Sequence, residues 1–450
     1  MAAILTDTIR TNIAELFFNE VSNASDSHEY YIGIGKSSEY PSGDTLIDPI
    51  RTKKEEREAR SALQSVKKVT SVSYVIPRYN WTSGSIYTGY SDVVVGIPAN
   101  TYYVLTEDNE VYICLQQGKT AGGAANTSTV KPSFTDAGVE EKEAFETSDG
   151  YRWKFLYALS ATRANSFLSS GYMPVEKVIL DSGSASAFEI QQLNVQNYSI
   201  SGQITGIRVT NGGSGYSSTP TVTISGNGAS AAATATISGG SIVKIEMNNE
   251  SAALGSGYDY ATVTFSGGGG TGAVARPIIT TREGIGFDPR VDLKSSSIMM
   301  NTKPDGTESG KFVVDQDFRQ ILVLRDIENN SGTQFTDTTG KVLKYITMAT
   351  PTAFANDDII RGVSSSAAAH VVDVDSTSVY YIQSEYTGYR SFADGELVED
   401  SDGSLSGTID SAVKFSDVDA YSGEVLYIEN RARVVRSTDQ TEDIKVIITV

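Results

Sequence analysis

The chain of 450 residues carries 55 acidic against 36 basic side chains, a formal net charge of −19. That field opposes non-specific binding to nucleic acid or to an anionic membrane, since both need a basic surface. Hydrophobic content of 39%, with 41 Gly, 24 Tyr and 15 Phe, excludes a disordered chain and fits a soluble, β-rich protein of several domains with ample core.

The single cysteine, Cys114, sits in the apolar run 111–115 and reads as a small core residue. One cysteine makes no intrachain disulfide and no Cys-based zinc site. Segment 1–12 lacks the basic and apolar regions of a signal peptide, and no apolar run is long enough to span a bilayer. The expectation is a protein made and folded in a cytoplasm.

In chain order, residues 8–23 are predicted helical, with Ile9, Ile13, Leu16, Phe17 and Val21 on one face and Thr6, Asp7 or Thr8 as N-cap. Residues 30–35 read as a strand. A second helix is predicted over 53–69, with Ala59, Ala62, Leu63 and Val66 as its thin apolar face. Its Lys and Arg surplus is read as a solvated face rather than a docking surface. Strand-like runs follow at 73–81, 92–95, 101–105, 111–116, 150–159 and 318–324. Residues 203–280 are rich in Gly, Ser, Thr and Ala and contain a repeat. Gly213-Ser214-Gly215-Tyr216 recurs as Gly255-Ser256-Gly257-Tyr258, and Val222-Thr223-Ile224-Ser225-Gly226 as Val263-Thr264-Phe265-Ser266-Gly267, at almost the same offset. This is expected to be an inserted β-sandwich-like domain. A fainter echo, residues 354–360 in 392–398, marks a second insertion over 329–416, expected to be a small β-hairpin module. The chain ends in two β-branched runs, 425–428 and 444–450. They flank a polar segment expected to be a loop carrying Arg431, Arg433 and Arg436, the candidate protein interface.

Motifs with catalytic or binding overtones do not assemble. Gly33-Ile34-Gly35-Lys36-Ser37 follows a strand, but Tyr30 stands where the Walker pattern needs Gly, and Pro41 breaks any following helix. His28 and His370 are the only histidines and are far apart, with no nucleophile elbow for either to serve. Glu399-Asp400-Ser401-Asp402-Gly403-Ser404 echoes the start of a calcium loop, yet Ser411 falls where the bidentate Glu belongs. Tyr216, Tyr258 and Tyr260 are considered as a sugar-stacking shelf, against half-buried strand-edge tyrosines. No catalytic residue, cofactor or metal is assigned, and the chain is read as a non-enzyme.

Several blocks nevertheless resemble one family. Ser422-Gly423-Glu424, Tyr427, Glu429-Asn430-Arg431 and Asp439-Gln440-Thr441-Glu442 match, with the same gaps, the C-terminus of a baseplate wedge protein of T-even-type contractile-tailed phages. Val75-Ile76-Pro77-Arg78 with Trp81, Gly150-Tyr151 with Trp153, residues 32–36, and Phe318-Arg319-Gln320-Ile321 match in the same order. At Arg433 and Arg436 the chain departs from the family, which carries Pro and apolar residues there. The resemblance implies a mainly β homodimer, a β-sandwich core with a few peripheral helices. It would bind the tail-pin protein, the subunit linking to it and the ring-forming wedge protein, take part in baseplate assembly and in rearrangement on contraction, and reside in the virion tail. The core would comprise 1–200, 281–328 and 417–450, interrupted by 203–280 and 329–416. The competing reading, from the Gly/Tyr repeat alone, is a receptor- or glycan-binding tail adhesin; a cell-wall-degrading enzyme ranks below both.

Overall fold

Short runs of Val, Ile, Tyr and Phe punctuated by Gly make strand the favoured local state, and the chain is mainly β, 42% strand and 12% helix. The structure, a computed structural model, describes residues 6–22, 28–40, 43, 45–96, 101–180, 183, 185–248 and 253–450. Asn23 and Pro41, which entered the sequence reading, lie outside them. The chain divides into two compact units, one formed by Met1–Phe18, Ser73–Met299 and Ile447–Val450, the other by Asn19–Val72 and Met300–Val446.

The second unit contains a five-stranded antiparallel sheet. Its order is Thr339–Lys341, Leu63–Lys68, Tyr30–Gly35, Asp317–Arg325 and Glu424–Val435. Tyr31, Leu63, Val66, Leu322, Leu324 and Phe335 are among the residues of its core. Gly35 is required by strand spacing, because a Cβ there would collide with the Ala62 carbonyl oxygen. The helix expected over 53–69 stops early, at Lys53–Ser61. Thr52 caps it by accepting from Glu55 N–H, but residues 63–68 form a strand instead. There they pair on both sides, with Tyr30–Gly35 and Thr339–Lys341; a helix would leave both of those strands short of partners.

The same unit carries a second module over residues 344–415, and it is not the hairpin expected from the echo. Six strands close a barrel in the order Lys344–Met348, Ser378–Ile382, Ala368–Asp375, Ile359–Gly362, Leu397–Asp400 and Ser406–Phe415, which returns to the first. Closure leaves no unpaired edge and encloses one core, including Ile346, Phe354, Ile360, Val371, Tyr381, Phe392 and Val398. The echo has a structural meaning. Phe354 and Phe392 enter the core alike, Ile359–Gly362 pairs with Leu397–Asp400, and the acid of each copy binds the N–H three residues before it: Asp358 to Ala355, Glu396 to Ala393.

In the first unit a four-stranded sheet runs Tyr103–Leu105, Glu110–Gln116, Arg152–Ala158, Ala144–Glu146. Its aromatic core includes Tyr87, Tyr112, Tyr151, Trp153 and Phe155. The run 92–95, read as strand, is a turn. The Gly/Tyr repeat forms four two-stranded ladders rather than one continuous sandwich, around a core that includes Ile204, Ile242, Ile245 and Leu254. The repeated strands pair with each other, Val222 opposite Phe265 and Ile224 opposite Val263. Each repeat's tyrosine lies on the other repeat's glycines: a Cβ on Gly270 would strike the Tyr216 ring, and one on Gly228 the Tyr258 ring. A two-copy unit thus exchanges its aromatic plugs across a local pseudo-symmetry.

Candidate functional site

Two of the three C-terminal arginines do not sit on a loop. Glu424–Val435 is one continuous strand of 12 residues, paired along Asp317–Arg325, so Arg431 and Arg433 are strand residues. The polar residues misled the reading because this is an edge strand, where one face is wet and charge is tolerated. Arg431 stays 45% exposed with Glu429 at 3.4 Å, and Arg433 53% exposed with Asp317 at 2.8 Å. Arg436 is different in kind. It is 1% exposed, its Nε donates to Glu442 Oε2 at 2.8 Å, and its terminal nitrogens donate to the carbonyls of Val313 and Gly306. Its guanidinium also stacks over Phe312, 5.0 Å from the centroid. Every direction from which a partner subunit could reach Arg436 is occupied by its own chain, so it is removed from the interface candidates.

Residues far apart in sequence interlock around this strand. Gly35 is opposite Gln320, and Gln320 is opposite Asn430. Gln320 Nε2 donates to Asn430 Oδ1 at 2.8 Å, and Asn430 Nδ2 to Ile47 O. Arg319, buried, donates to the Ser37 carbonyl and pairs with Asp317, which also receives Arg433. Tyr40 Oη donates to Arg319 O at 2.6 Å and accepts from Arg431 N–H. The segments 32–37, 317–321 and 424–431 therefore form one hydrogen-bonded patch on three adjacent strands.

Lys36 leaves its strand with φ of 64°, and among the described residues no helix opens behind the glycine motif before Lys53. His28 Nδ1 lies 2.5 Å from Asp326 Oδ2. His370 sits in the barrel wall beside Ser37 Oγ and Asp357, its pKa lowered chiefly by burial. The acidic turn spends its carboxylates on itself: Asp400 accepts from Leu405 N–H and Ser404 Oγ, and Asp402 from Ser404 N–H. Tyr216 and Tyr258 are enclosed by the glycines they plug, so the three-tyrosine shelf does not exist; Tyr260 alone is exposed.

Two electrostatic features of the first unit had no signature in the sequence. One is a fully buried pair. Burial pushes the Asp292 carboxyl up to about 7, partly offset by the Gly286 N–H it accepts at 2.6 Å, and burial pushes Lys154 down to about 8 while its Nζ donates to Ile285 O. Their separation of more than a hundred positions in the chain hides them from any local motif. The other is a cationic cavity lined by Lys119, Arg208 and Lys244.

No family model matches the chain, and a search of curated proteins finds no significant match. Among the described residues no helix is long and apolar enough to cross a membrane.

Proposed function

We propose that this chain is a structural subunit of a contractile-tail baseplate wedge, a homodimer that binds neighbouring wedge subunits and works without catalysis. One observation carries the reading most of the way. Three of the sequence blocks that resemble the wedge protein, 32–36, 318–321 and 422–431, fall on three adjacent strands, with Gly35 opposite Gln320 and Gln320 opposite and bonded to Asn430. That blocks far apart in the chain meet in one patch supports the resemblance. The barrel over residues 344–415 closes on itself, as decoration of a core would. Rigid sheets that move as bodies while interfaces repack are the mechanical requirement of such an assembly.

In this role the protein resides in the virion tail and meets the tail-pin protein, its linking subunit and the ring-forming wedge protein. Arg431 and Arg433 are its remaining interface candidates. The test is light scattering of the purified chain, alone and mixed with those neighbours. A dimer that enters a larger stoichiometric complex supports the reading. A trimer that ignores the neighbours and binds host cells replaces it with the adhesin.

A further inference from the structure

Within the first unit, three cationic side chains converge on a cavity of about 610 Å³. Lys119 comes from the turn after Glu110–Gln116, Arg208 from Ile204–Ser214 and Lys244 from Ser241–Met247. In a chain of net charge −19, three like charges around one hollow run against the mean field. Lys244 is partly balanced by Glu246, whose Oε1 lies 2.7 Å away. Lys119 and Arg208 have no ion-pair partner among the described residues. The consequence shows on Lys119, whose pKa is lowered first by burial and then by the charges of Arg208 and Lys244, with Glu246 opposing. Arg208 is exposed and Lys119 half-buried, so both charges stand where a dissolved anion can reach them.

Apolar surface lines the hollow as well: Ile278, on the same face of its two-stranded ribbon as Arg208, and Val93. The loop that closes it is anchored. Asp92 takes Arg276 at 2.7 Å and the Ile279 N–H, and Tyr90 N–H donates to Cys114 O at 2.7 Å. Arg276, the register partner of Arg208, is thereby neutralised while Arg208 is not. Ser91 Oγ, also lining the cavity, is buried with no hydrogen-bond partner, an arrangement that costs free energy until something supplies the bond. Size, a mixed apolar and polar lining, and convergent polar groups are what a small-molecule site requires.

We propose that this cavity binds a small organic anion, a carboxylate or phosphate carried on a body of sugar size. The anion sits among Lys119, Arg208 and Lys244, and the body lies against Ile278 and Val93. This site is independent of the baseplate reading, because it involves none of the residues that carry that reading and would serve a scaffold or an adhesin equally.

The experiment is isothermal calorimetry on the full chain with glucuronate, glucose 6-phosphate, inorganic phosphate and neutral glucose. Saturable binding of at least one sugar anion, absent for glucose and weakened by salt, is expected. Arg208→Met, on an exposed strand position, and Lys119→Met should each lower affinity about tenfold or more. Circular dichroism and melting temperature check that each variant is folded, and Arg208→Met alone suffices if Lys119→Met is not. No binding of any anion up to about 10 mM, weaker than any useful site, overturns the proposal. So does binding that the folded variants leave unchanged. Phosphate binding as tightly as both sugar anions removes the role of the apolar wall and overturns the organic ligand.

Discussion

Replacing Asp292 by Asn should abolish a specific slope in the stability of the first unit with pH. The carboxyl is fully buried, with Thr281 Oγ1 at 3.2 Å from one oxygen and Gly286 N–H at 2.6 Å from the other. It titrates near 7 when folded, against 3.8 ordinarily. A raised carboxyl pKa means that the folded state holds its proton more tightly. The stabilisation is complete below the unfolded pKa and is lost as pH rises towards the folded one. Between pH 4 and 6 the wild-type residue is mostly neutral in the fold and increasingly ionised in the unfolded chain, so stability falls by up to about 1.4 kcal/mol per pH unit, about 2.4 kcal/mol across the window. Asn is neutral in both states and has no such slope. Lys154 faces a neutral residue 292 in both proteins over this range, so its own titration cancels. Both tryptophans, Trp81 and Trp153, lie in the first unit, so urea unfolding followed by tryptophan fluorescence reports on that unit alone. The Asn variant should gain on the wild type by about 2–3 kcal/mol from pH 4 to pH 6. A difference that stays constant across that range would refute the reasoning.

Arg436→Met should destabilise the second unit by about 3–5 kcal/mol, because Glu442 is left buried with its charge unpaired; barrel and sheet circular dichroism against urea checks this. Arg431→Glu with Arg433→Glu should change stability by only about 1 kcal/mol, since both side chains are about half exposed, while weakening self-association in light scattering. Residues 344–415 expressed alone should give a cooperatively melting β spectrum, because Lys344 pairs with Phe415 and the ends of the excised segment meet; a random-coil spectrum would refute that. Glu396→Gln should cost the barrel about 2 kcal/mol, as the carboxylate accepts from the N–H groups of Ala393, Ser364 and Ser365 and from both serine hydroxyls, and thermal melting of that fragment measures it.

The sequence was most legible where a signal was local. The strand at Tyr30–Gly35, the helix Asp7–Ser22, the strand Asp317–Arg325 and the mainly β class all follow from runs and periodicity. It misled where tertiary pairing outweighed propensity. Leu63 and Val66 have helical spacing with Ala59, yet two strands compete for their backbone. The repeat over 203–280 was visible, but its logic was not: Tyr216 and Tyr258 look like exposed rings on Gly-rich turns until each is seen lying on the other copy's glycines. The barrel was legible only as an echo, since closure depends on Lys344–Met348 finding Ser406–Phe415 at the far end of the module. The cationic cavity draws on three separate segments, each with one unremarkable Lys or Arg.

The three C-terminal arginines show how one composition serves two physical ends. Glu424–Val435 is the outermost strand of its sheet, and a long edge exposes backbone groups able to pair with another chain. Leu426 and Val435 are both partly exposed on it, which adds to the hazard. Glu429, Arg431 and Arg433 place charge along this edge, the two arginines at a bulge where 431–433 are all exposed, and charge on an edge strand discourages indiscriminate pairing. An added strand bearing acids opposite the two arginines would turn the same charges from deterrent to register, so guarding the edge and choosing a partner are not rival roles for them. Arg436, one residue beyond the strand, takes no part in either. Its carbonyl accepts from Asp315 N–H, and its side chain ties Gly306, Val313 and Glu442 together, so it secures the end of the strand whose middle Arg431 and Arg433 leave addressable.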